Sequence, residues 1–151
     1  MSIHVICVGQ KMPAWVLSGF GEYAKRMPRE WRIQLHEIPL EKRTKTSAID
    51  QLKQREGEHI LKAIPKNAHV IALEVKGKPW STETLATQCA DWQQLGKPIT
   101  LLIGGPDGLS DACRERADQL WSLSPLTLPH PLVRVILAEQ LYRAVSILSN
   151  H

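Results

Sequence analysis

The run Gly104-Gly105-Pro106-Asp107-Gly108 has residue types that suit a ligand loop. Glycine tolerates positive φ and lets backbone approach a ligand closely. The spacing is neither G-x-G-x-x-G nor a phosphate loop with its lysine, so no motif indicates NAD or ATP. The run reads either as a ligand loop or as a plain turn. A second stretch, residues 123–131, is mostly apolar and stiffened by Pro125, Pro129 and Pro131. It either surrounds a flat heterocycle with apolar side chains and main-chain amides and carbonyls, or it is a rigid crossover. His130 lies between two of those prolines, and imidazole is the usual proton carrier near neutral pH. Lys42, Arg43 and Lys45 form a basic loop that either contacts phosphate or is simply solvated.

Other candidates carry less chemistry. His4 and His69 fall near strand starts and read as structural. No two histidines share metal-ligand spacing, and Cys7, Cys89 and Cys113 form no C-x-x-C pair, so no metal site is expected. An odd cysteine count in unrelated contexts argues against a disulfide framework and for a reducing, cytoplasmic setting.

Alternating strands and helices must position these residues. Residues 3–9 read as a buried strand, and a helix runs from Pro13 to before Pro28. Residues 31–38 alternate, the pattern of a strand near the sheet edge with one wetter face. A charged helix covers 48–64. The apolar run 68–75 (AHVIALEV) reads as a central parallel strand, closed by a turn at 77–80. Ser81 caps a helix ending at Leu95 with Gly96 as its C′ residue. Residues 98–103 (PITLLI) form another buried strand leading into the glycine loop. Ser110 caps a short helix to Ala117, residues 119–123 form a short strand, and a last helix covers 132–149. That last helix is apolar nearly all round, so it should be covered on two sides: one by its own sheet, the other by a second copy of the chain. The expectation is a single α/β domain over residues 1–151 with a mostly parallel sheet.

Size and composition agree. At 151 residues, 43% hydrophobic and 23% charged, the chain can bury a core without staples. It has no run of the roughly 18–20 apolar residues that would span a membrane, and no recognisable signal peptide. Net charge is +4, with 15 Lys/Arg against 10 Asp/Glu in residues 1–100 and 4 against 5 in 101–151. The basic excess suits an anionic partner such as nucleic acid, or a merely solvated surface.

Five stretches together resemble a known family: VGQKMPAWV (8–16), KRTK (42–45), ALEVKGKPWST (72–82), LLIGGPDGLS (101–110) and WSLSPLTLPHPLVRVILAEQLYRA (121–144). They are similar to the ribosomal RNA large-subunit methyltransferase H family, within the SPOUT superfamily. The resemblance implies an α/β fold whose C-terminal part threads a deep trefoil knot, against the general rule that chains are unknotted. It implies a homodimer. It also implies methyl transfer from S-adenosyl-L-methionine (SAM) to N3 of a pseudouridine in large-subunit, 23S-type ribosomal RNA, on the assembled ribosome.

Carried over by position, the SAM contacts would be Leu73, Gly104, Leu123, Ser124, Pro125, Leu126, Thr127 and Leu128. Family members often have Ala at position 125, so Pro125 removes one backbone donor. His130, Arg143 and His151 are the candidates to contact the base or take its N3 proton, with Glu139 behind them. Family chains continue past Asn150-His151 with a short tail of Pro, Tyr, His and Arg type near the cofactor; those groups are absent from this member or fall outside the sequence read. A non-catalytic RNA- or ribosome-binding module of the same fold is the alternative. A nucleotide-binding oxidoreductase is disfavoured by the missing glycine fingerprint.

Overall fold

The computed structural model describes residues 2–150. Five strands, β1 (Ile3–Val8), β2 (Ile33–Ile38), β3 (His69–Pro79), β4 (Ile99–Ile103) and β5 (Gln119–Ser122), form one sheet in the order β2-β1-β4-β3-β5. Every neighbouring pair is parallel. The alternating strand 31–38 is indeed an edge strand, although Trp31 itself closes a 3₁₀ turn (Arg29–Trp31) before it. β4, with all five residues buried, is central, as a continuous apolar run requires.

Helices cover both faces. On one side α1 (Ala14–Ala24), α3 (Thr82–Leu95) and α5 (His130–Leu148) enclose a core containing Val5, Leu101, Trp92 and Leu141. On the other, α2 (Ile49–Ala63) and α4 (Asp111–Arg116) cover Ile6, Val70, Leu102 and Leu109. Ser81 and Ser110 cap α3 and α4 by accepting the backbone N–H of Thr84 and of Cys113, and Gly96 ends α3 at φ 66°. Cys7, Cys89 and Cys113 are buried free thiols, and burial pushes the first two up to about 12.

Two elements differ from the pattern reading. The turn expected at 77–80 is instead the second half of β3, which runs on to Pro79. It pairs with β5 through a register shift between Leu73 and Lys78. Gly77 permits this, since a β-carbon there would lie 2.8 Å from the carbonyl carbon of Leu120 and the amide nitrogen of Trp121. The last helix also starts two residues early, at His130, because Pro131 suits a first helical turn.

Helix α5 is covered within one chain more fully than its composition suggests. It lies on its own sheet with α1 and α3 packed against it. Val135 sits against Gly19, where a β-carbon would be 3.0 Å away, and Tyr142 meets Tyr23 with ring centroids 6.3 Å apart. The exposed apolar surface that remains includes Trp15 and Leu17 on α1 and Ile147 and Leu148 at the end of α5.

Candidate active site

Parallel sheets bind ligands outside the carboxyl ends of their strands. Here β4 stops at Ile103 while β3 runs on to Pro79, and the β3–β4 pairing covers only His69–Ala72. The strands therefore part just beyond Ala72. The gap is a cavity of about 530 Å³, within the usual range for a small-molecule site. Leu73, Glu74 and Val75 form one wall and Gly104, Gly105, Pro106 and Gly108 another. Ile103, Leu123, Ser124, Leu126, Thr127, Leu128, Pro129, His130 and Val133 complete it.

The glycine loop is a tight turn on the cavity wall. Gly105 and Gly108 bridge each other, with the Gly108 N–H donating to the Gly105 carbonyl at 3.0 Å. A β-carbon on Gly104 would lie 2.5 Å from the Gly108 carbonyl carbon, so only glycine fits. Across the cavity, Ser124 shapes the 123–128 segment. Its Oγ accepts the Leu126 N–H at 3.0 Å, and its carbonyl accepts from Ser122 Oγ at 3.0 Å.

Seven of the eight SAM positions carried over from the family line this one cavity: Leu73, Gly104, Leu123, Ser124, Leu126, Thr127 and Leu128. Pro125 does not; it is exposed. Of the base-contacting candidates, His130 lines the cavity at the first residue of α5. Arg143 does not line it: its side chain is 60% exposed and is paired with Glu139 at 2.8 Å. His151 lies outside the described residues.

His130 sits in a charged setting. Its Nδ1 is buried without a hydrogen-bond partner. Burial holds the imidazole below its ordinary value, helped by the positive charges of Arg134 and Arg43 and opposed by Glu56. The ring is therefore neutral at pH 7 and able to accept a proton.

The basic loop divides between its residues. Arg43 is stapled inward. Its Nε donates to Asp107 of the glycine loop at 2.8 Å, and its terminal nitrogens fork onto Glu56 at 2.8 and 3.2 Å. Glu56 is only 2% exposed and also accepts the Glu41 N–H. Arg43 thus ties α2 to the cavity wall, while Lys42 and Lys45 stay exposed. Two further residues at the site carried no motif. Glu74 puts a carboxylate into the lining, with Arg114 3.4 Å away. Arg134 is buried beside His130 and pairs with Glu37 at 2.7 Å. The only sign of either was a charge inside an otherwise apolar run.

Comparison with known proteins gives a consistent picture. A family model described as predicted SPOUT methyltransferase matches residues 1–151. The ribosomal RNA large subunit methyltransferase H of Hahella chejuensis is 59% identical over 151 residues, spanning 100% of this chain and 97% of that protein. That of Methylococcus capsulatus is 54% identical over the same spans. Among solved structures, a probable methyltransferase from Bordetella pertussis superposes with a TM-score of 0.60 at 12% identity, covering 95% of this chain and 93% of that one. A probable methylase family protein from Haemophilus influenzae gives 0.57 at 14% identity, covering 98% and 68%. At such identities the structures testify to the fold alone.

Proposed function

Because the chain belongs to the ribosomal RNA large subunit methyltransferase H family of SPOUT methyltransferases, we propose that it methylates N3 of a pseudouridine in large-subunit ribosomal RNA, on the assembled ribosome, with SAM as donor. The observation that carries this reading is the single cavity lined by seven of the eight expected cofactor positions. Its residues fit SAM. Leu73, Leu123, Leu126 and Leu128 offer apolar flanks for an adenine, and main-chain groups at Gly104 and Leu126–Leu128 offer hydrogen bonds to its edges. Gly104 keeps the glycine loop in its tight turn at the cavity wall, and Glu74 offers a carboxylate to a cationic group. When bound, SAM supplies a methyl group on a sulfonium that is its own leaving group.

The protein's work is then positioning and proton removal. The glycine loop and the 123–128 segment orient the donor in line with the target nitrogen. With a donor bound, the methyl would pass from sulfur to N3, and the neutral His130 imidazole is the group of this chain that would take the N3 proton. Arg143 lies 13 residues along α5 from His130, about 20 Å at about 1.5 Å per residue. A part for Arg143 at the same base therefore requires a second copy, consistent with a homodimer acting as one unit. Lys42 and Lys45 are free to meet ribosomal phosphate. We read residues 1–151 as one cytoplasmic domain with its C-terminal part knotted, needing no metal.

Incubation with methyl-labelled SAM and intact ribosomes, followed by mapping of the labelled nucleotide, tests the reading. Label at N3 of one pseudouridine in the large-subunit RNA is expected. No transfer overturns the enzyme reading in favour of a binding module, and label at another atom or RNA overturns the substrate assignment.

A further inference from the structure

Arg134 is the one charged side chain fully enclosed in the first turns of α5, at 1% exposure. Its Nη1 donates to Glu37 at the end of β2 at 2.7 Å, and its Nη2 donates to the carbonyl of Gly9 at 2.7 Å. Gly9 follows β1 with φ +114°, and a β-carbon there would lie 3.2 Å from His130 Cε1 and 3.4 Å from Arg134 Nη2. One glycine thus separates the imidazole from the guanidinium. His130 and Arg134 stand four residues apart, so they share one face of α5. Both keep a buried nitrogen without a partner, His130 Nδ1 and Arg134 Nε. A buried ion pair is a costly device for holding a helix end, and an apolar side chain would pack at lower cost.

We propose that Arg134 is a positioning residue for methyl transfer: clamped between Glu37 and the Gly9 carbonyl, its guanidinium holds the His130 ring at the cavity as a neutral proton acceptor. This rests on the reading of His130 as the acceptor for the N3 proton. The physical logic is direct. A cation one helical turn away opposes a second positive charge on the ring. The N-terminus of α5, where His130 sits, opposes it too. The other charged groups near the ring are Arg43 and its partner Glu56, with Asp107 bonded to the same guanidinium. Those carboxylates are engaged by Arg43, and Glu37 lies behind Arg134. Burial and the two arginines therefore outweigh them, and His130 titrates below its ordinary value. The fork also explains arginine over lysine: only a planar guanidinium reaches a carboxylate and a carbonyl together.

The test reads His130 directly, by NMR titration of Cε1 in histidine-labelled full-length protein, with H130A assigning the signal. Single-turnover methyl transfer to ribosomes across pH is measured alongside. R134Q should raise the titration midpoint, by roughly half a unit or more, and move the acid limb of the rate profile up with it. E37Q should move both the opposite way, because Arg134 then stands uncompensated. R134K should keep the midpoint near wild type while losing rate. A merely structural role predicts rate loss in all three with the midpoint unmoved, and that result overturns the inference. If R134Q does not fold, the charge-balanced double variant E37Q/R134M takes its place, with a raised midpoint expected and an unmoved one overturning. H130A turning over like wild type would remove the acceptor itself, whereas an unmoved midpoint with H130A impaired removes only the part given to Arg134.

Discussion

His130 and Gly104 show how much a single position decides here. His130 has no competing partner for its buried Nδ1, and its ring is held neutral by burial and by Arg134. H130A should therefore lower turnover by about 10²-fold or more while leaving SAM affinity within a few-fold. Single-turnover rates at saturating SAM and ribosomes, with calorimetry for SAM, check both halves. Gly104 is constrained by backbone on the far side of its own loop, with a β-carbon position 2.7 Å from the Leu109 nitrogen. G104A must displace that turn, at a cost of about 1–3 kcal/mol. SAM binding should weaken at least tenfold while the fold persists, as read by calorimetry and urea melts. The residue types at both positions were legible in the sequence as glycine-loop and proton-carrier signals. Arg134 was not, because a lone arginine in an apolar helix carries no motif; only burial shows what it does.

The elements near the cavity are held by ion pairs rather than by apolar packing alone. Arg43 links the loop after β2 to α2 and to the glycine loop, and its partner Glu56 is buried. Removing one member of such a pair leaves an uncompensated charge inside. R43A should lose about 3 kcal/mol in urea unfolding, and R43K, which cannot fork, should recover only part of it. A plain solvated loop would show no loss. At the other end of the sheet, His4 and His36 stack on β1 and β2 with nitrogens 3.0 Å apart. Burial, then the His36 charge, holds His4 below its ordinary value near 6.5. A depressed histidine is unprotonated in the fold and takes up its proton on unfolding. Its contribution is therefore complete above about pH 6.5 and is lost as pH falls through 6.5 toward the folded value. H4N should flatten the decline in thermal stability between pH 7 and 5, and an unchanged slope would assign that decline elsewhere. Element types and order were plain from the apolar runs and Ser caps. The continuation of β3 was not, since Gly77 and Pro79 read locally as a turn and only β5 beside them makes a strand.

The whole molecule sets the last question, its working unit. Helix α5 finds α1 and α3 in its own chain, so its apolar composition alone no longer demands a second copy. Trp15 at 57% and Leu17 at 55% exposure on α1 are the apolar surface that the proposed homodimer would cover. Sedimentation at micromolar concentration should find twice the 17.0 kDa chain, and W15D/L17D should shift it toward monomer with loss of methyl transfer. A fully active monomer would refute the dimer. The chain alone determined the alternation of strands and helices, the parallel sheet, the family resemblance and the stretches that would hold a cofactor. These follow from local periodicity and from motif spacing, which are properties of sequence. Only the tertiary structure decided that Leu73, Gly104 and residues 123–128 meet in one cavity while Pro125 and Arg143 stay outside it. It alone turned Arg43 inward and buried Arg134 against Glu37, 97 residues away in the chain. Such pairings depend on which strands become neighbours, and strand order is decided by the packing of the whole chain rather than by any window of it.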